Sequence, residues 1–252
     1  MKAKKHFGQH FLTSNSTALT IVQGLGDISQ ESVLEIGPGM GILSQYLWKD
    51  ARHFQAIEID DEAKTYLEEH FQQMTIIHAD FLKLTLTDYF NKPFRLIGNF
   101  PYNISSQIVF KILENHTLID RWVGMFQLEM GIRLISQPKD KKNYGILSVL
   151  VPFYYEVKEM MTLPPDAFDP PPKVNSIVVA AQRREHAFKA DPALIKRVVK
   201  TAFGQRRKTL RNSLASIIPK DQFTEHPYAS LRPENLTYLQ FEALCVYISS
   251  RC

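Results

Sequence analysis

Three glycines in five residues, Gly37, Gly39 and Gly41, separate a strand-like apolar run from a helix-like segment. No other stretch constrains the chain so tightly. Glycine permits both a tight turn and a close approach of backbone to a ligand, with a helix N-terminus beyond. Glu35-Ile36-Gly37-Pro38-Gly39-Met40-Gly41 therefore reads as the strand-to-helix corner of a ligand-binding α/β sheet. A tight turn without a ligand is the simpler alternative. The segment is not a P-loop, since no Gly-Lys-Ser/Thr follows. Ile42 also stands where a dinucleotide Gly-x-Gly-x-x-Gly pattern needs its third glycine.

The pattern around the turn alternates. It predicts a helix over 14–24 capped by Ser14 or Asn15, then strands at Ser32–Ile36, His53–Ile59, Met74–His78, Phe94–Gly98 and Arg121–Gln127. Helices are expected over Ile42–Asp50, from a cap at Asp60 or Asp61 to about Gln72, over Ser105–Asn115 and over Glu129–Gln137. Such alternation means βαβ units and a mainly parallel sheet. Gly145–Val157, Glu159–Leu163 and Val174–Gln182 are β-rich and are expected as antiparallel strands at the sheet edge. Arg183-Arg184-Glu185-His186 breaks the pattern, which divides the chain into residues 1–185 and a small helical domain, 186–252. Helices in that domain are expected from Asp191-Pro192 to Gly204, over Arg206–Ile218 and over 237–250.

Charge separates the same two parts. Residues 186–252 carry net +6 and residues 1–185 net −2, within a chain of net +4. A near-neutral body with a basic appendage fits a polyanion partner gripped by the appendage; an ordinary solvated helical surface is the bland alternative. No apolar run approaches the roughly 20 residues of a membrane span. Lys2, Lys4 and Lys5 are followed by polar residues and Gly8 instead of an apolar stretch, so a cytoplasmic location is expected. Cys245 and Cys252 suggest neither a disulfide framework nor a metal site, and the histidines show no ligand spacing.

Three further positions bear on chemistry. Glu58 ends the second strand, where an acid can hydrogen-bond both hydroxyls of a ribose, a feature shared with dinucleotide-binding folds. Asp80 ends the third strand and is placed either to accept from an adenine amino group or to cap a turn. Asn99-Phe100-Pro101-Tyr102 follows the fourth strand and offers an amide, a backbone carbonyl facing a rigid proline, and an aromatic ring. An exocyclic amine is a poor nucleophile because its lone pair is delocalised into the ring. Acceptors at the Asn99 side chain and the Phe100 carbonyl would bind its two N–H groups and aim the lone pair at an electrophilic methyl. Tyr102 would stack on the base or pack in the core.

With these residues the chain resembles the class I S-adenosylmethionine-dependent methyltransferases, and more closely the rRNA adenine N6-dimethyltransferases. His6-Phe7-Gly8-Gln9-His10-Phe11-Leu12 is similar to the family's R-F-G-Q-N-F-L, Glu35–Gly41 to E-I-G-P-G-x-G, and Asn99–Ser105 to N-L-P-Y-N-I-S. Phe168–Ser176 is similar to F-x-P-x-P-K-V-D-S, and Arg206–Leu214 to R-R-K-T-L-R-N-S-L. Five motifs in order span nearly the whole chain. Tyr144–Val149 and the arginine-rich block look like the branch acting on small-subunit rRNA rather than the macrolide-resistance enzymes.

The resemblance implies a Rossmann-like α/β methyltransferase sheet with a C-terminal helical rRNA-binding domain. It implies S-adenosylmethionine held by His10, Leu12, Gly37, Gly39, Glu58, Asp80 and Asn99. It implies a target adenine handled by Asn99, Pro101, Tyr102 and Phe168, and rRNA gripped by Arg206, Arg207, Lys208 and Arg211. The implied reaction is N6-dimethylation of two adjacent adenines near the 3′ end of small-subunit rRNA in an immature 30S particle, by a monomer needing neither metal nor membrane. His10 stands where the family usually has Asn, Phe100 where it has Leu, and Asn175 where it has Asp. Three other readings compete. A non-catalytic RNA-binding assembly factor need not retain Asn99 together with Glu58 and Asp80. A Rossmann oxidoreductase is disfavoured by Ile42 and by Asn99–Tyr102, and a DNA adenine methyltransferase by the arginine-rich appendage.

Overall fold

Near-continuous apolar runs such as Ser32–Ile36, buried at four of five positions, suit strands covered on both faces, and they build the centre of the molecule. The computed structural model describes Lys4 and residues 9–138, 140–185 and 187–251. Lys2, Lys5 and His6-Phe7-Gly8 of the N-terminal motif, His186 at the expected boundary, and Cys252 lie outside the described residues.

The chain begins with β1 (Phe11–Leu12), α1 (Asn15–Gln23), β2 (Ser32–Ile36), α2 (Ser44–Leu47), β3 (His53–Glu58), α3 (Asp61–His70) and β4 (Thr75–His78). It continues through β5 (Phe94–Asn99), α4 (Ser105–Glu114), β6 (Ile119–Gln127), α5 (Leu128–Ile135), α6 (Ile146–Tyr154), β7 (Tyr155–Leu163), β8 (Phe168–Asp169) and β9 (Ser176–Arg183). Four helices follow: α7 (Pro192–Gly204), α8 (Leu210–Ser213), α9 (Lys220–Phe223) and α10 (Tyr238–Ser249). Caps fall at residues whose side chains suit them. Ser14 accepts from Thr17 N, Asp60 from Glu62 N and Asp191 from Ala193 N.

Seven strands form one sheet in the order β4-β3-β2-β5-β6-β9-β7. The pairs β2–β3, β2–β5, β3–β4 and β5–β6 are parallel, and β6–β9 is antiparallel. The chain steps outward from β2 to β4, then returns to lay β5 on the other side of β2. That reversal opens a crevice at the strands' carboxyl ends. β1 and β8 make a separate antiparallel pair, with Leu12 opposite Phe168.

The chain divides into two compact units. One comprises residues up to Gly131 and Val157–Arg183; the other comprises Ile132–Glu156 and Arg184 onward. The second boundary falls next to the expected one, but Ile132–Glu156 belongs with the helices rather than with the sheet. The cause is α6, which the sequence had suggested as β-rich. Leu147 to Val151 and Phe153 are buried around the whole helix, so no amphipathic period marks it. Gly145 N donates to Ser148 Oγ at 2.9 Å, and that hydroxyl donates to Arg133 O at 2.5 Å, fixing the start of the helix.

The long helix expected over Arg206–Ile218 is also absent. Only α8 is helical there, because Thr209 is extended and breaks the run. The first N–H groups of α8 donate outside the helix, Leu210 N to Leu231 O at 2.7 Å and Arg211 N to Ala229 O at 3.0 Å. Cys245 is fully buried on α10, and burial pushes its thiol up to about 12.

Candidate active site

The carboxyl ends of β2, β3 and β5 and the turn after β4 surround a cavity of about 730 Å³. Its lining includes Gly37 and Gly39 after β2, Glu58 at the end of β3, Asp80 after β4, and Asn99 and Pro101 after β5. His10 and Leu12 line it from the N-terminal segment. Gly37 has φ +64°, and a Cβ there would meet nothing within 4 Å, so backbone geometry rather than crowding demands glycine. Gly39 has φ +57°, and a Cβ would sit 2.8 Å from the Phe11 ring, so here the close approach also counts.

The two acids on the floor differ. Glu58 is 4% exposed; its Oε1 accepts from Ile59 N at 2.8 Å and Asp60 N at 2.9 Å, and its Oε2 from Gly39 N at 3.2 Å. Burial raises its pKa, and these three donors oppose the rise. A carboxylate has about four lone-pair positions, so one on Oε2 is left for a ligand. Glu35 is 1% exposed, lines the same cavity, and among the described residues accepts the Ser44 hydroxyl alone, at 2.6 Å. Burial pushes its carboxyl to about 8, so it carries its proton at neutral pH. Glu35 is legible in the sequence only as a charged side chain inside an otherwise apolar parallel strand.

The N-terminal segment is tied down by polar contacts. Asp60 is 1% exposed and accepts from Lys4 Nζ at 2.5 Å, Gln9 Nε2 at 2.9 Å and Glu62 N at 3.0 Å. Burial works against its charge, but these donors outweigh it and hold the carboxyl below the usual range. Asn99 Nδ2 donates to His10 O at 2.7 Å. His10 Nδ1 donates to Pro170 O at 2.7 Å, and its ring stacks on Tyr102 at 5.4 Å between centroids. With one N–H of its amide committed to His10, Asn99 keeps Oδ1 as an acceptor and its second N–H as a donor.

Asp80 caps its turn and also reaches the cavity. Oδ1 accepts from Leu82 N at 2.9 Å as a turn cap, while the residue edges the cavity. Tyr102 lies outside the lining; its hydroxyl bonds Ser176 Oγ at 2.5 Å, and burial raises its pKa against that bond. Phe168 is a correction. It is 3% exposed, packs in the apolar cluster with Leu12, Met125 and Val178, and does not line the cavity. Buried there and paired through its backbone with Leu12, it presents no open face for stacking.

In the helical unit the basic block is not the single helical face expected. Arg206 donates through Nη2 to Lys141 O and lies 3.9 Å from Glu234. Arg211 donates to Thr224 Oγ1 at 2.9 Å and to Lys220 O at 3.3 Å, which ties α8 to α9. Arg207 and Lys208 are exposed on the turn before α8. Among the described residues no cluster of His, Cys, Asp and Glu is placed to hold a metal ion. No helix among them is long and apolar enough to cross a membrane.

The model of the family "Ribosomal RNA adenine dimethylase" matches residues 1–249. The chain belongs to that family. A Porphyromonas gingivalis protein named ribosomal RNA small subunit methyltransferase A is 46% identical, over 98% of this chain and 98% of its own. A Cytophaga hutchinsonii protein of the same name is 43% identical over 100% and 99%. Among crystal structures, a dimethyladenosine transferase from Plasmodium falciparum shares the fold, with TM-score 0.82 at 24% identity over 96% of this chain and 98% of its own. The 23S rRNA methyltransferase ErmE has TM-score 0.71 at 25% identity over 93% and 99%. The chain is therefore an rRNA adenine dimethyltransferase, with rRNA as its substrate and S-adenosylmethionine as the implied methyl donor. The cavity fits that donor in kind. Glu58 has a free acceptor position for a hydroxyl, Asp80 has acceptors at the cavity edge, and Gly37 leaves open space where a side chain would stand.

Proposed function

We propose that this enzyme transfers methyl groups to N6 of two adjacent adenines near the 3′ end of small-subunit rRNA, acting in the cytoplasm as a monomer on immature 30S particles. The names of the relatives support the small-subunit substrate. The observation that carries the site reading is the Asn99 amide, whose Nδ2 donates to His10 O beside Pro101 and the cavity. That arrangement leaves Oδ1 able to accept from an incoming N–H donor.

When bound, S-adenosylmethionine supplies an electrophilic methyl group. Gly37, Gly39, His10 and Leu12 shape the cavity, Glu58 Oε2 accepts from a ribose hydroxyl, and Asp80 accepts from the adenine amine. Extracting the target adenine from its stack costs a few kcal/mol. Asn99 Oδ1 and the Phe100 carbonyl offset part of this by taking the two N–H groups of N6, which leaves the nitrogen lone pair aimed along the transfer axis. Tyr102, braced by Ser176 and His10, supplies the adjoining aromatic surface. The amine becomes acidic once alkylated and loses its proton to water. Catalysis is then chiefly the holding of two reactants in near-attack geometry. Arg207 and Lys208 take phosphates, while Arg206 and Arg211 brace the segment that presents them.

The test is incubation with labelled S-adenosylmethionine and under-modified 30S particles, followed by mapping of methylated bases. Label at two adjacent adenines near the 3′ end of the small-subunit rRNA is expected. No label at those adenines, with label entering 23S rRNA or DNA in parallel incubations, would overturn the substrate reading.

A further inference from the structure

Lys111 lies on α4, outside the cavity lining and outside every motif described above. Its Nζ donates to Leu82 O at 2.9 Å and to Leu84 O at 2.5 Å, and sits 5.2 Å from the centroid of the Phe81 ring. All three partners belong to the short turn after β4. Asp80 ties the front of that turn by accepting from Leu82 N, and Lys111 ties its rear. Phe81 is 4% exposed, and Ala79, Asp80, Phe81 and Leu82 together form one wall of the cavity. The turn has no other side-chain donor on its rear carbonyls among the described contacts. A cation at a carbonyl-rich turn end is favourable, and so is one over an aromatic face.

We propose that Lys111 is a positioning residue: by fixing the Leu82 and Leu84 carbonyls and the Phe81 ring, it sets the direction of the Asp80 carboxylate and thereby the enzyme's discrimination for an amino-bearing purine in the cofactor cavity. The inference rests on the reading of that cavity as the S-adenosylmethionine site. Because α4 begins directly after the Asn99–Tyr102 loop, the same helix that carries the target-base loop also braces the cofactor wall.

The test compares binding of S-adenosylhomocysteine with that of its inosine analogue, in which a carbonyl replaces the purine amine. Asp80 bonds only the former, so the wild-type enzyme should prefer it by about tenfold or more, the worth of a hydrogen bond to a charged group. Lys111→Met keeps the length of the side chain and removes its donors. It should reduce the preference to about threefold or less, mainly by weakening the adenine compound, while Lys111→Arg restores part of it. A purely structural Lys111 would lower the melting temperature and weaken both compounds equally, leaving the ratio unchanged; that result overturns the proposal. A wild-type enzyme that binds neither compound, or both alike, overturns the cavity reading and the proposal with it. If Lys111→Met does not fold, Lys111→Gln, with one amide donor pair, is read by the same ratio.

Discussion

Replacing Glu35 by glutamine should remove a large part of the chain's pH-dependent stability. The Glu35 carboxyl titrates near 8 in the folded state against an ordinary 4.5, because burial penalises its charge. Between those values the folded chain holds a proton that the unfolded chain has released, so stability falls as pH rises. The favourable contribution is fully present below about pH 4.5 and is lost as pH rises to about 8. At about 1.4 kcal/mol per unit, the change over that window is on the order of 5 kcal/mol. Glutamine cannot ionise. It still accepts from the Ser44 hydroxyl but brings a second N–H into a buried site, which costs about 1 kcal/mol at low pH. Urea unfolding at pH 5 and pH 8.5 reads the difference between the two proteins, in which Glu58, common to both, largely cancels. The wild type should be slightly the more stable at pH 5, and Glu35→Gln clearly the more stable at pH 8.5. A difference that stays constant with pH would mean that Glu35 ionises normally and that its burial has been misjudged.

Four further outcomes are expected. Glu58→Ala should weaken S-adenosylmethionine binding by about 1.5–3 kcal/mol in calorimetric titration, with no compensating affinity for NAD. Asn99→Ala should slow methyl transfer by about 100-fold or more, with RNA binding little changed and cofactor affinity measured alongside; near-normal turnover refutes its role. Phe168→Ala should lower stability by about 3–5 kcal/mol, as for a large core side chain, and a variant that melts normally but fails to turn over would return Phe168 to the target-base pocket. Arg207→Gln with Lys208→Gln should flatten the salt dependence of 30S binding by roughly 0.7–0.9 per residue, whereas an unchanged slope leaves them as ordinary solvated charges.

Strands β2 to β6 were legible because each is an apolar run bounded by turn or cap residues, and Ser14, Asp60 and Asp191 announced the helices they cap. The gathering of Gly37, Glu58, Asp80 and Asn99 around one cavity was legible too, since each terminates or follows a strand. α6 was not. Its β-branched and aromatic residues favour a strand locally, and only burial on all sides makes a helix of them. Nor was the break at Thr209, because the groups that take up the Leu210 and Arg211 N–H donors lie some twenty residues downstream. The motif containing Phe168 named the residue but not its depth, which depends on pairing with Leu12. Lys111 carried no signal at all; its partners are 27 and 29 residues away and are carbonyls, which every residue possesses.

The antiparallel pair that joins Leu12 to Phe168 also sets a timetable for synthesis. Leu12 meets its strand partner only after some 155 further residues have been translated, on the order of ten seconds later at about 5–20 residues per second. Until then Gly37, Glu58, Asp80 and Asn99 can assemble on their sheet, but the wall formed by His10 to Leu12 is held only through Asp60 and Asn99 and lacks its strand partner. A nascent chain therefore lacks a finished cavity wall until residue 168 has been made. A polypeptide that ends before residue 168 carries three of the five sequence motifs, yet lacks the strand partner of the first of them.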